Sequence, residues 1–285
     1  ATPREATLLI VGDPDQLTSV EAGSVLRDLV TTSTETWWQG RITQLTTTHR
    51  YDEKQALGQL VTAIRNGEGA VVADLLSGHN GDEVVLASAT DLKNELERAA
   101  SHWSAVLSTR DPEEHFRLRG RYVVLSPFRR GPVGTRQLGA SIRELLMGDA
   151  DSAPGVTPII IEENSHELGV YNGDFAMLVD EEPRTATVQT DGAGFREIIE
   201  ARLPRFSEAF ALSVHKAQGS EFDDVLIVLP QQDTPLLTRE LLYTAVSRAR
   251  KRVRIVGSAD VVAAALKRRA QRHSGLVDAI ERAPR

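Results

Sequence analysis

Short apolar runs of β type alternate with amphipathic helical patterns along most of this chain, and that alternation limits its folds more than any other feature. The runs are Leu8–Val11, Val84–Ala87, Tyr122–Leu125, Ile159–Ile161, Val225–Leu229 and Val253–Val256. Helical patterns fill Lys54–Asn66, Asp91–Thr109, Val133–Leu146, Arg239–Arg250 and Ala259–Arg272. Apolar strands separated by helices predict an α/β fold with a mainly parallel sheet. One stretch breaks the rhythm. From about Val156 to Phe206, the pieces Phe175–Val179, Thr185–Thr190 and Glu197–Arg202 are divided by Asn-Gly, Glu-Pro and Gly-Ala-Gly turn signals, and no amphipathic helix fits. It reads as a small β-barrel inserted into the α/β domain.

A length of 285 residues predicts roughly two domains. The chain is 41% hydrophobic and 26% charged, a globular composition. No apolar run approaches the roughly 18 residues of a membrane span. With no cysteine, disulfides and thiolate metal sites are excluded, and a reducing, cytoplasmic compartment is expected. The net charge of −7 argues against a wholly basic nucleic-acid coat protein. Residues 239–285 nevertheless carry 12 Lys or Arg against 4 acids, so an anionic partner is expected to meet that end first. The chain opens at Ala1 and reaches its first apolar run almost at once, which predicts a piece of something longer.

Five segments carry polar residues where chemistry is plausible. Leu8–Leu17 is an apolar run ending in Gly-Asp-Pro-Asp-Gln, which would place polar side chains at the carboxyl edge of a parallel sheet. Gln16 there could orient a water or touch a terminal phosphate; the plainer reading is a strand-to-helix turn capped by Asp13 or Asp15. Arg50, after a Thr-rich stretch, could reach a phosphate or simply pair with Asp52 or Glu53. In residues 124–138 a strand stops at Ser126-Pro127 and exposes Arg129 and Arg130 beside Gly131, which makes either a phosphate cradle near a helix start or a solvated turn.

Residues 210–230, FALSVHKAQGSEFDDVLIVLP, are more specific. His215 and Lys216 supply donors suited to a nucleic-acid phosphate. Gly219 lets the backbone approach a ligand, and Glu221 could accept from a ribose hydroxyl. So many polar residues in seven positions between two core strands are hard to explain by folding alone. In residues 238–257, helical spacing puts Leu241, Leu242, Ala245, Val246 and Ala249 on a buried stripe. Thr244, Arg248 and Lys251 then share another face, either aimed at an anion or solvated. A phosphate-binding loop, G-x-x-x-x-G-K-[ST], is missing, since Gly-Lys occurs nowhere. No apolar strand ends in the Asp-Glu pair that would hold Mg²⁺.

In this order and spacing, the segments resemble the C-terminal half of RecD-type superfamily 1 DNA helicases, RecD being the alpha subunit of exodeoxyribonuclease V in the RecBCD complex. SVHKAQGSEFD, LLYTAVSRAR and GDPDQLTSVEAGSVLRDL carry the resemblance, and LGVYNGDFAMLVD is similar to the entry of that family's small SH3-like barrel. The resemblance implies RecA-like, P-loop NTPase-type architecture. Residues 1–45 would be the remnant of a first RecA-like domain, 46–155 and 207–285 the second motor domain, and 156–206 the SH3-like insertion.

The resemblance also implies roles. Gln16 would sense the γ-phosphate, and Arg50 and Arg248 would be arginine fingers. Gly219 and Glu221 would lie near the nucleotide, while Ser126, Arg129, Ser213, His215 and Lys216 would face DNA. It implies ATP and Mg²⁺ as cofactors, with their main ligands upstream, so that these residues alone are expected to be inactive; no residue here is assigned to a metal. Single-stranded DNA and the RecB and RecC subunits are the implied partners, 5′-to-3′ movement in double-strand break repair the implied activity, and the nucleoid the implied place. A solitary RecD-like helicase and a non-catalytic binding module are the alternatives. Two departures stand out: Leu138-Gly139 where relatives commonly have Leu-Asn, and Phe175-Ala176 where a small Gly often sits.

Overall fold

The central strand of the molecule is Phe222–Val228, a run of seven residues whose apolar end, Val225 to Val228, is fully buried. In the computed structural model, which describes residues 3, 5–17, 25–31, 40–45, 51–52, 54–78, 81–109, 111–148, 155–189, 194–270 and 275–282, this strand (β9) lies inside a five-stranded sheet. The other strands are β1 (Val84–Ala87), β2 (Tyr122–Ser126), β8 (Leu212–Ser213) and β10 (Ala249–Val256). The order is β1-β10-β9-β2-β8, and each pairing is parallel. Parallel neighbours need crossover connections, and helices supply most of them.

Helix α1 spans Val25–Thr31. Helix α2 (Ala56–Asn66) buries Leu57, Leu60, Val61 and Ile64, the spacing of one helical face. It stops at Gly67, whose φ of +77° closes the helix with a left-handed turn. Helices α2, α3 (Gly69–Ser77), α7 (Arg239–Val246) and α8 (Ala259–Lys267) pack on one another and against β1, β9 and β10. The N-termini of α7 and α8 are capped by Thr238 and Ser258, whose hydroxyls accept from the N–H groups of Leu241 and Val261. A second group, α4 (Leu92–Leu107), α5 (Pro112–Arg119) and α6 (Thr135–Met147), packs beside β2. In α4, Trp103 donates to the Phe210 carbonyl at 3.2 Å and meets the Phe210 ring edge-on. Gly139, on the buried face of α6, also lies against Phe210. Helix α9 (Leu276–Glu281) ends the described chain.

Between α6 and β8 runs a second sheet, entirely antiparallel: β3 (Val156–Ile161), β4 (Phe175–Val179), β5 (Thr185–Gln189), β6 (Phe195–Ile199) and β7 (Phe206–Glu208), in the order β6-β5-β4-β3-β7. One face gathers Ile159, Ala176, Leu178, Ala186, Val188 and Ile198 into a small core. The other face turns Ile160, Phe175 and Met177 into the main core. Phe116 and Arg119 of α5 strengthen that join, with Phe116 edge-on to Phe175 and the Arg119 guanidinium 4.0 Å above the Phe175 ring.

Three departures from the sequence expectations bear on where the site residues lie. Leu8–Val11 forms no strand, and its four side chains are 52–83% exposed. A strand needs a neighbour to hydrogen-bond with, and none of the described strands lies beside it. Ile159–Ile161 belongs to the antiparallel sheet, because an unbroken apolar run reports burial on both faces and says nothing of strand direction. The helix expected over Arg239–Arg250 ends at Val246, and Ala249 begins β10. Lys251 therefore leaves the face shared by Thr244 and Arg248, and its ammonium pairs with Asp223 at 2.9 Å.

Candidate functional site

Two groups of cations gather at opposite edges of the parallel sheet. The first lies where β9 and β10 begin. The segment Gly12–Leu17 docks there on α7: the Leu17 N–H donates to the Thr244 hydroxyl at 2.7 Å, and the Gln218 amide donates to the Leu17 carbonyl at 2.6 Å. This docking carries Gln16 to Arg248. The Arg248 guanidinium is 3% exposed and is held by neutral oxygens. It donates to the carbonyls of Thr244 and Ser220, to the Ser247 hydroxyl, and to the Gln16 side-chain oxygen at 3.2 Å.

The orientation of Gln16 is set from its other end. Its amide N–H donates to the Asp13 carboxylate at 3.0 Å, and the buried Tyr243 hydroxyl donates to the same oxygen at 3.0 Å. Burial, the Asp13 charge and this hydrogen bond all push the Tyr243 hydroxyl pKa up, so it stays a donor. Burial also raises the Asp15 carboxyl, with the neighbouring Asp13 charge adding to the effect.

Gly219 passes beside this group with φ of +81°, and a side chain there would meet no atom within 4 Å. The position is left-handed and open, which suits a ligand approaching the backbone. Glu221 follows, its carboxylate 3.0 Å from the Arg250 guanidinium.

The second group lies at the opposite edge, where β2 and β8 end. Ser126 is fully buried, and its hydroxyl donates to the Val133 carbonyl and accepts from the Phe128 N–H. These two hydrogen bonds fold the 126–135 turn. The same turn needs Gly134, since a side chain there would come within 2.5 Å of the Arg130 backbone. Ser213 is likewise buried, and its hydroxyl accepts from the Lys216 N–H.

Arg129 and Lys216 converge on Glu162, just past β3. The Arg129 guanidinium lies 2.5 Å from the carboxylate and the Lys216 ammonium 3.8 Å. Lys216 also donates to the Ile161 carbonyl and the Asn172 side-chain oxygen. Burial lowers the Lys216 pKa, partly opposed by the Glu162 charge.

His215 is turned elsewhere. It lines a cleft of about 990 Å³ with Leu17, Leu236, Lys267 and Arg269. The expected DNA-facing pair is thus divided between two spaces.

The basic end is less available than its composition implied. Arg250, Lys251 and Arg252 pair with Glu221, Asp223 and Asp224, Arg254 grips the buried Glu95, and Arg268 pairs with Asp233. Arg50 lies outside the described residues. Among those residues, no group of three His, Asp or Glu side chains could hold a metal ion, and no helix is long and apolar enough to cross a membrane.

Sequence reasoning overlooked Tyr243 and Glu162. Tyr243 adjoins Thr244 in LLYTAVSRAR, and Glu162 is the first acid after the Ile159–Ile161 run, a weak signal at most.

Known proteins resemble this chain along most of its length. The UvrD-like helicase C-terminal domain family matches residues 208–256, and an AAA domain family matches residues 1–81. The RecBCD enzyme subunit RecD of Mycobacterium tuberculosis is 37% identical over 95% of the chain and 48% of the relative. The ATP-dependent RecD2 DNA helicase of Deinococcus radiodurans is 30% identical over 98% of the chain and 37% of the relative. The chain spans about half the length, or less, of these curated relatives. Among solved structures, a Pif1 helicase from Bacteroides with ADP-AlF3 and single-stranded DNA covers 85% of the chain and 56% of its own length, at 18% identity and a TM-score of 0.46.

Proposed function

From the premise that the chain belongs to the RecD-type helicase family, we propose that it supplies the second motor unit of an ATP-dependent 5′-to-3′ DNA helicase. Residues 46–155 and 207–285 are in this reading the second RecA-like domain, 1–45 the remnant of the first, and 156–206 an SH3-like insertion. The observation that carries it is the meeting of Gln16 with the buried Arg248. These are two groups that suit a terminal phosphate, brought together from opposite ends of the chain.

The residues present fit one side of a nucleotide. Arg248 offers guanidinium donors, Gln16 an amide, Gly219 an open backbone and Glu221 a carboxylate for a ribose. ATP, when bound, supplies the phosphoryl group transferred to water. Arg248 stabilises the negative charge that develops there, an effect of about 10³–10⁵ in rate, or roughly 4–7 kcal/mol. Asp13 and Tyr243 hold the Gln16 amide in one orientation. Arg50 acts as the second arginine finger. Phosphate-gripping and Mg²⁺-holding residues belong to other parts of the full-length protein, so the 285 residues alone are inactive.

At the other edge, Arg129 and Lys216 bind the phosphates of a single strand, and the loop from His215 to Glu221 links strand and nucleotide. The full-length protein works with RecB and RecC in double-strand break repair and recombination, in the cytoplasm at the nucleoid. The similarity to the Deinococcus RecD2 helicase favours a second reading, a RecD-like helicase acting outside RecBCD. Copurification with RecB and RecC separates the two.

Arg248→Ala in the full-length protein tests the motor reading. DNA-stimulated ATP hydrolysis is expected to fall by about 10³-fold or more while nucleotide binding stays within a few-fold. Turnover that survives the change overturns the role given to Arg248.

A further inference from the structure

We propose that the Glu162 carboxylate occupies a phosphate site built by Arg129, Arg205, Ser207 and Lys216, and that a phosphodiester of the bound strand displaces it. The inference rests on the reading of this edge as DNA-facing. It adds to that reading a competing carboxylate and two ligating residues, Arg205 and Ser207, from the antiparallel sheet.

The geometry is that of an occupied anion site. Glu162 is 10% exposed, and its Oε1 accepts from the Ser207 hydroxyl at 3.0 Å and from Arg129 at 2.5 Å, with the Lys216 ammonium 3.8 Å away. Its Oε2 faces the Arg205 Nε at 3.6 Å. Three cations thus surround one carboxylate, and two positive charges remain in excess. Elsewhere the exposed cations Arg250, Lys251 and Arg252 are matched by Glu221, Asp223 and Asp224.

The donors come from three separate places: the turn after β2, the loop after β8 and the entry to β7. They meet only because the antiparallel sheet packs against the parallel one. Arg129 and Arg205 remain 57% and 70% exposed, so the outer side of the site is open to solvent. A phosphodiester presents two acceptor oxygens with the spacing and charge of a carboxylate, and charge-assisted hydrogen bonds from guanidinium groups suit either. Glu162 therefore holds the donors in place for a strand and competes with it for them. The lowered Lys216 pKa fits a cation drawn partly out of water by this packing.

The test uses the full-length protein and fluorescence anisotropy with labelled (dT)16, without nucleotide, over a salt series. Glu162→Gln keeps the shape and removes the competing charge, and is expected to tighten binding by about 10-fold at low salt. Arg205→Ala, at an exposed position that leaves folding intact, is expected to weaken it by about 3- to 10-fold. A folded Glu162→Gln protein with unchanged or weaker binding overturns the displacement. Where Glu162→Gln fails to fold, Arg205→Ala decides, and unchanged affinity overturns the site. If the wild type shows no salt-dependent binding to (dT)16, the DNA-facing reading itself falls. A wild type that binds while both variants match it removes this inference and leaves that reading standing.

Discussion

The two edges of the parallel sheet hold their cations by different physics. At the β9–β10 start, Arg248 is buried and its donors are aimed by carbonyls, a hydroxyl and Gln16. Removing a guanidinium from water costs several kcal/mol unless its hydrogen bonds are met, so its direction is fixed by many short contacts. At the β2–β8 end, Arg129 is half-exposed and Lys216 a fifth exposed, gathered by a single carboxylate. There, charge and proximity matter more than direction, and water screens the interaction. The first arrangement suits a reaction that needs one geometry. The second suits a polymer whose phosphates slide past.

Charge-conserving substitutions press hardest on that contrast. Arg248→Lys keeps the charge but loses the fork of donors. It is expected to lower DNA-stimulated ATP turnover of the full-length protein by about 100-fold or more, close to the loss from alanine. Arg129→Lys is expected to change affinity for single strands by less than about 3-fold. Equal effects in the two assays would erase the distinction between the edges.

A smaller effect is expected from Lys216→Ala: about 10-fold weaker (dT)16 binding at low salt, with the log–log salt slope reduced by about 1. An unchanged slope would mean that Lys216 meets no phosphate.

The smallest effect concerns pH. Burial lowers the Lys216 pKa, so its charge is lost on the alkaline side before an ordinary lysine at 10.5 titrates. Strand affinity should therefore decline as pH rises toward that range, and Lys216→Arg should flatten the decline. A wild-type profile that matches the arginine variant would show that Lys216 titrates as a free surface lysine.

Much of the fold was legible because apolar periodicity reports burial. Val84–Ala87, Tyr122–Leu125 and Val253–Val256 all lie in the strands expected of them, and α2 and α4 follow their apolar spacing. Leu8–Val11 carried the same signal and forms no strand, because an apolar run specifies a wish for a neighbour and cannot supply one. The segment 238–257 misled in another way. Helical spacing extended past Val246, yet Ala249 had a partner in Phe222 and joined the sheet. The +8 net charge of residues 239–285 also overstated the free basic surface, since Arg250, Lys251, Arg252, Arg254 and Arg268 meet acids from other elements.

The site divides along the same line. Arg248 and Lys216 could be picked out from their local patterns, but their present partners could not. Gln16 lies 232 residues before Arg248, and Glu162 lies 33 and 54 residues from Arg129 and Lys216. Sequence alone determined the alternation of strands and helices, the β-rich interruption and the residue types able to meet phosphate, because those depend on neighbours within a turn or a strand. Tertiary structure alone decided that His215 and Lys216 face different spaces, that Ser126 folds a turn, and that the two cation groups gather at opposite ends of the parallel strands. Contacts between residues far apart in the chain arise only when the sheets pack, and packing, not local preference, sets which charges meet.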